Sequence, residues 1–161
     1  MDEAVYERFD TKAGFQAAVE RLLEQGGREL RIFDPDGEAL KLNDTERIAS
    51  FERFLLASRT RRLHMVLHDT DYVARRCPRM LTLLARFSHA IQINRTGEEI
   101  RELQDAFLVL DAAHYVRRPV ATMFRGAIGL GDETEGLAMR GRFLEIWAAS
   151  YPAVSSTTAG L

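Results

Sequence analysis

Apolar residues at Phe15, Ala18, Val19, Leu22 and Leu23 recur at the i, i+3, i+4, i+7, i+8 spacing that lines one face of a helix. Gly26-Gly27 ends it. From Glu29 the period shortens: Leu30 and Ile32 alternate with Arg31 and Phe33, which predicts a strand, and Asp34-Pro35-Asp36-Gly37 predicts the turn that closes it. Asn43, with Glu46 three residues on, is placed to cap a second helix whose buried stripe is Ile48, Phe51, Phe54 and Leu55. Residues 63–68 are nearly continuously apolar, the pattern of an inner strand covered on both faces. Pro78 suits the first turn of a third helix carrying Met80, Leu83, Leu84 and Phe87.

Residues 90–95 predict a third strand and 97–103 a loop or short helix. Residues 106–111 form an apolar strand that delivers Asp111 at its end, and 114–118, stopped by Pro119, pair with it as a hairpin. A weaker strand is predicted over 122–128. Asp132 with Glu135 makes a second capping box, and Met139, Phe143, Ile146 and Trp147 mark a final helix. Residues 1–10, polar and mixed, receive no element. The fold class is therefore α/β, a mixed β-sheet sandwiched by helices, in one domain over 1–151 followed by a flexible tail over 152–161.

Composition bounds this picture. A chain of 161 residues, 46% hydrophobic, can bury one sizeable core. No apolar run approaches the roughly 20 residues that span a bilayer, and the start Met-Asp-Glu lacks a signal-peptide layout, so a cytoplasmic protein without a membrane partner is expected. Cys77 is the only cysteine, which excludes an intramolecular disulfide or a multi-cysteine metal site. A formal charge of −2 argues against nucleic-acid binding driven by bulk charge, so nucleic acid is not an expected partner, although a local basic face could still attract phosphate. Lysine occurs only at Lys12 and Lys41, so no chemistry can draw on a lysine from the last two-thirds of the chain.

Ligands of open α/β sheets gather beyond the carboxyl ends of the strands. Those ends carry Asp34 and Asp36, then His68, Asp69 and Asp71, then Arg95, then Asp111. Arg95, Arg117, Arg118 and Arg125 offer forked donors for an anion, or partners for the acidic loops. Asp69 to Asp71 also suits a cap for the segment that starts at Tyr72, and His64 and His68, on one face of a strand, suit hydrogen-bonded positions at the core edge.

The strand over 104–111 and its flanks resemble the phospholipase D family, whose motif His-x-Lys-x-x-x-x-Asp supplies a nucleophilic histidine and a charge-stabilising lysine. Counting back from Asp111, the histidine position holds Gln104 and the lysine position Ala106. The following hairpin, the small-residue segment 128–132 and the Phe143/Trp147 helix also fit that family's order. The resemblance covers roughly residues 11–150. It implies a phospholipase D-like half-domain with a degenerate motif, a homodimer as in single-motif members, and a binding role in place of catalysis, since glutamine cannot form a phosphohistidine. More closely, the run from His68 through Pro78 and on to Arg86-Phe87-Ser88-His89 resembles an uncharacterised proteobacterial family that often accompanies GNAT-type acetyltransferases, which implies a bacterial origin and an acetyltransferase as a possible partner.

Two enzymatic alternatives stand beside this: a divergent phosphodiesterase in which His68, His89 or His114 replaces the missing nucleophile, although their spacings do not recreate the motif, and a reading that starts from residues 32–37, similar to the haloacid dehalogenase-like Asp-x-Asp-Gly-Thr signature. The second would make Asp34 a nucleophile, Asp36 an acid/base and magnesium their cofactor, with Thr70 and Asp111 as later members. Glu38 stands where that signature has threonine, and the later lysine is missing. In the binding reading no cofactor is expected.

Overall fold

Alternation places the two faces of β2 in different surroundings, and the rest of the fold follows from that split. In the computed structural model, which describes residues 3–155, the elements in chain order are β1 (Val5–Phe9), α1 (Lys12–Glu24), β2 (Glu29–Asp34), α2 (Thr45–Leu56), β3 (Arg62–Leu67), α3 (Asp71–Arg76), α4 (Pro78–Arg86), β4 (Ile91–Thr96), β5 (Ala106–Leu110), β6 (His114–Arg118), β7 (Gly126–Leu130), α5 (Glu133–Ala148) and β8 (Ser150–Val154). A 3-10 turn, Glu98–Ile100, lies in the β4–β5 connection. One sheet runs in the order β1-β7-β6-β5-β2-β3-β4-β8. Its centre, β2, β3 and β4, is parallel. Every other pairing is antiparallel.

Even-numbered Leu30 and Ile32 join Phe15, Val19 and Leu22 of α1, Phe51 of α2 and Met80 and Leu83 of α4 in the larger core. Odd-numbered Phe33 faces the other way. With Val66, Phe107 and Val109 it packs against Met139, Phe143 and Ile146 of α5. Phe143 is fully buried, so truncating it to alanine would cost about 3–5 kcal/mol.

The expected α/β sandwich is what forms, with six differences in its parts. Residues 5–9 pair with β7 as an edge strand, although their polar side chains suggested none; the pairing uses the backbone. The tail expected to be flexible from 152 instead contributes 152–154 to β8, paired with β4 across a bulge, with Val154 buried. The remainder of that tail, 156–161, lies outside the described residues. Asn43 does not cap α2. Asp44 holds that position, and Asn43 Oδ1 accepts the backbone N–H of Arg79 instead. A short helix, α3, precedes Pro78, so the third helical stretch is two pieces with Cys77 buried between them. The weak strand shifts to 126–130. Of the capping box at Asp132 only one half forms: its carboxylate accepts the Glu135 N–H at 3.1 Å, while the Asp132 N–H donates to the Ala113 carbonyl and the Glu135 carboxylate takes Arg117 instead.

Candidate functional site at the strand ends

Because β5 runs antiparallel to β2, with Phe33 opposite Phe107, the beginning of β5 lies beside the carboxyl ends of β2, β3 and β4. Gln104 and Ala106 therefore share an end of the sheet with Asp34, His68 and Thr96. The same antiparallel sense carries Asp111 to the opposite end, where its Oδ1 accepts the backbone N–H groups of Arg28 and Glu29, both at 3.0 Å. Asp111 thus does not join the other strand-end residues, and it also cannot act as a distal partner of Asp34. It ends β5 in a left-handed conformation, φ 54°, which aspartate tolerates better than most residues.

Asp34 closes β2 and organises the turn after it. Its Oδ2 accepts the Gly37 N–H at 2.8 Å, and Gly37 has φ 85°, a conformation natural to glycine. Its Oδ1 lies 2.5 Å from Nη2 of Arg118. Both residues are 2% exposed. Arg118 stands on β6 directly across from Ala106. Its Nη1 donates to the Ala121 carbonyl at 2.7 Å, and its plane lies over the Phe15 ring, 4.5 Å from the centroid. Burial pushes the Asp34 carboxyl up and the Arg118 guanidinium down, each opposed by its partner's charge. Arginine keeps its proton in proteins, and with the contact this close the pair is ionised at neutral pH.

His68 is locked just as firmly. Nε2 donates to the Leu103 carbonyl at 2.8 Å, because a carbonyl can only accept. In the neutral ring Nδ1 then accepts from the Thr96 hydroxyl at 2.9 Å. Its edge meets the Phe33 ring, with centroids 5.2 Å apart. Neither nitrogen has a free lone pair. Arg95 Nε donates to the His68 carbonyl, and Asp69 Oδ1 accepts the Asp71 N–H in a turn just before α3, whose N-cap position is held by Thr70 without a side-chain hydrogen bond. Arg117 faces the other side of the sheet and pairs with Glu135 of α5 at 3.1 Å. Arg125 is exposed, one residue before β7.

What remains open at this end is a cleft of about 390 Å³ lined by Lys12, Asp36, Glu38, Arg118, Thr122 and Phe124, among others. Arg118 reaches it with its charge already balanced by Asp34, and the rest of the lining mixes one lysine with two carboxylates. Among the described residues no three His, Cys, Asp or Glu side chains are grouped to share a metal ion. Asp34, with one oxygen on Arg118 and the other on the turn amide, does not fit a magnesium ligand.

The sequence pointed to Arg118 and Asp34 separately and missed their pairing. A signal was available: a hairpin symmetric about Ala112 sets Leu110 opposite His114 and hence Ala106 opposite Arg118. The guanidinium thus occupies the space beside the residue that stands at the expected lysine position.

A family model described as Domain of unknown function (DUF7931) matches residues 11–156. No curated protein matches the chain. Among solved structures it is similar to Nuc from Salmonella typhimurium, described as a phospholipase D family member, with TM-score 0.66 and 10% identity over 95% of this chain and 100% of that one. NucT from Helicobacter pylori matches with TM-score 0.60 and 8% identity, covering 94% and 100%. TrmBL2, described as an archaeal chromatin protein with a novel mode of DNA binding, matches with TM-score 0.66 and 11% identity, covering 92% of this chain; this chain spans about half, 54%, of that one. At these identities the likeness establishes the fold, which is phospholipase D-like.

Proposed function

Since the chain belongs to the family described as Domain of unknown function (DUF7931) and folds as a phospholipase D-like domain, we propose that it is a non-catalytic binding module on that scaffold. The observation that carries the reading is the filling of the lysine position: Ala106 leaves a space that Arg118 enters from the neighbouring strand, and Asp34 cancels its charge at 2.5 Å. A cation so neutralised offers little to a transferring phosphoryl group. At the histidine position Gln104 supplies no nucleophile, and His68, the nearest imidazole in the chain's strand-end set, has both nitrogens engaged. An anion entering the cleft would rely on Lys12 at the rim, the lining cation left without a buried counter-charge. Self-association through this end is the assembly the scaffold suggests.

The alternative, a magnesium-dependent phosphatase using Asp34, draws less support, because that carboxylate is buried and fully occupied by Arg118 and the Gly37 amide. Incubating the purified chain with a generic phosphodiester and a generic phosphomonoester, with and without magnesium, tests the reading. Release of product no faster than the blank is expected, whereas turnover that co-purifies with the chain would overturn it.

A further inference from the structure

Charge is segregated along this chain. From Arg53 to Arg95 the sequence holds nine arginines against two carboxylates, Asp69 and Asp71, in a chain whose formal net charge is −2. The loops 57–61 and 87–90 precede the parallel strands β3 and β4, so they lie at the end of the sheet opposite the strand-end cleft, while Asp69 and Asp71 follow β3 at the cleft's own end. Of these nine, Arg53, Arg59, Arg61, Arg79 and Arg86 line the face formed by α2, α4 and these loops, whereas Arg95 lies at the cleft's end of the sheet.

Three neighbouring clefts join through shared arginines. The groove between α2 and α4, about 470 Å³, is lined by Arg79 and Arg86. A second, about 500 Å³, shares Arg86 and adds Arg59, Arg61 and His89. The third shares Arg61 and adds Arg53. The acidic residues in these linings are Glu52, Glu20 and Glu24. Glu52 pairs with Arg86 at 2.7 Å, and Glu20 is held by Arg47 and Ser50. Among the described residues, Arg53, Arg59, Arg61 and Arg79 pair with no carboxylate, although six other arginines outside this face do.

Local stability explains only part of this. Arg53 and Arg86 stand in the last turns of α2 and α4, where the helix dipole favours a cation. Arg79 stands in the first turn of α4, where the dipole disfavours one, and although its Nη1 donates to the Asn43 carbonyl at 3.1 Å, no carboxylate among the described residues balances its charge. The Arg59 side chain makes no hydrogen bond or ion pair among the described residues, and its backbone carbonyl serves Arg62. The guanidinium carbon of Arg61 lies over the Phe54 ring, 5.0 Å from its centroid, a contact that limits the entropy the side chain would lose on binding.

We propose that this arginine-lined face docks the phosphate backbone of a nucleic acid without reading its sequence. Planar guanidiniums lining three adjoining clefts suit successive phosphates, and the low overall charge confines the attraction to one side of the molecule. The inference concerns a different face from the strand-end cleft and does not depend on the reading given to that cleft.

Fluorescence anisotropy of a labelled duplex of about 20 base pairs, titrated with the full chain from about 50 to 200 mM salt, tests it, since each phosphate neutralised adds about 0.9 to the slope of log affinity against log salt. The expected slope is between about −3 and −5, with Arg59→Glu/Arg79→Glu lowering affinity about tenfold or more and Arg140→Glu, on α5 across the sheet, leaving it unchanged. If the double variant fails to fold by circular dichroism, Arg59→Gln, at a side chain with no internal partner, should still shift the affinity and flatten the slope. The proposal is overturned if the duplex does not bind at low salt, if Arg59 and Arg79 substitutions leave binding intact, or if only poly-glutamate or phosphatidylglycerol vesicles bind.

Discussion

Nη2 of Arg118 lies 2.5 Å from Oδ1 of Asp34, joining two residues 84 positions apart in a site where each is 2% exposed. Removing one partner strands the other as an unpaired buried charge. Asp34→Ala and Arg118→Ala should each lower unfolding free energy by about 3–5 kcal/mol, read from urea or guanidinium midpoints. Asp34→Ala/Arg118→Met should cost less than the sum of the singles, because no orphaned charge remains.

Asp111, the one motif aspartate retained, is a clamp between the end of β5 and the start of β2, accepting two backbone N–H groups with one oxygen. Asp111→Ala leaves both donors without that acceptor and should cost about 1–3 kcal/mol. Asp111→Asn retains an acceptor oxygen and tolerance of φ 54°, so it should recover most of that loss in the same denaturation experiment.

Two glycines of α5 should respond oppositely to alanine. A Cβ on Gly136 would sit 2.4 Å from the Ala112 carbonyl oxygen, in the hairpin turn on which the helix rests. Gly136→Ala should destabilise by about 1–3 kcal/mol despite alanine's better helix propensity. At Gly141 a Cβ meets nothing within 4 Å. Gly141→Ala should therefore stabilise by about 0.5–1 kcal/mol, and thermal melts of the two variants check the pair.

His64 stacks on Trp147, with centroids 4.7 Å apart, and burial followed by the nearby Arg31 lowers its pKa. A lowered folded pKa means that the unfolded chain binds more protons between the folded value and the ordinary value of about 6.5. Stability is thus full above about pH 6.5 and declines as pH falls toward the folded value. Denaturation midpoints of the parent chain should drop through that range more steeply than those of His64→Gln. Trp147, the single tryptophan, should be quenched by the imidazolium with a midpoint below the ordinary histidine value.

Much of the scaffold could be read from alternation. The strand expected over 29–34 forms with those bounds, because a clear period of two is followed by a turn whose carboxylate binds its own glycine amide. The edge strands could not be read this way. β1 exposes most of its side chains and β8 contains Pro152, so neither shows an apolar stripe, and both are held by backbone pairing to partners far along the chain. At the site, Ala106 opens β5 while Gln104 falls in the coil two residues before it, and grouping Asp111 with the other strand ends misses the direction of β5, which its antiparallel pairing to β2 supplies. The Arg118–Asp34 contact joins β6 to β2 across β5; the hairpin's symmetry brings Arg118 only as far as Ala106, and the last step rests on the pairing of β5 with β2, segments far apart in the chain.

The central claim, that the strand end keeps its scaffold without phosphoryl chemistry, is tested most directly by hydrolysis of bis(p-nitrophenyl) phosphate by the purified chain beside Gln104→Ala and Asp34→Asn. Nitrophenol release at the blank rate from all three is the predicted result. Release above the blank from the parent chain, lost in either variant while its folded circular dichroism spectrum is kept, would contradict the account.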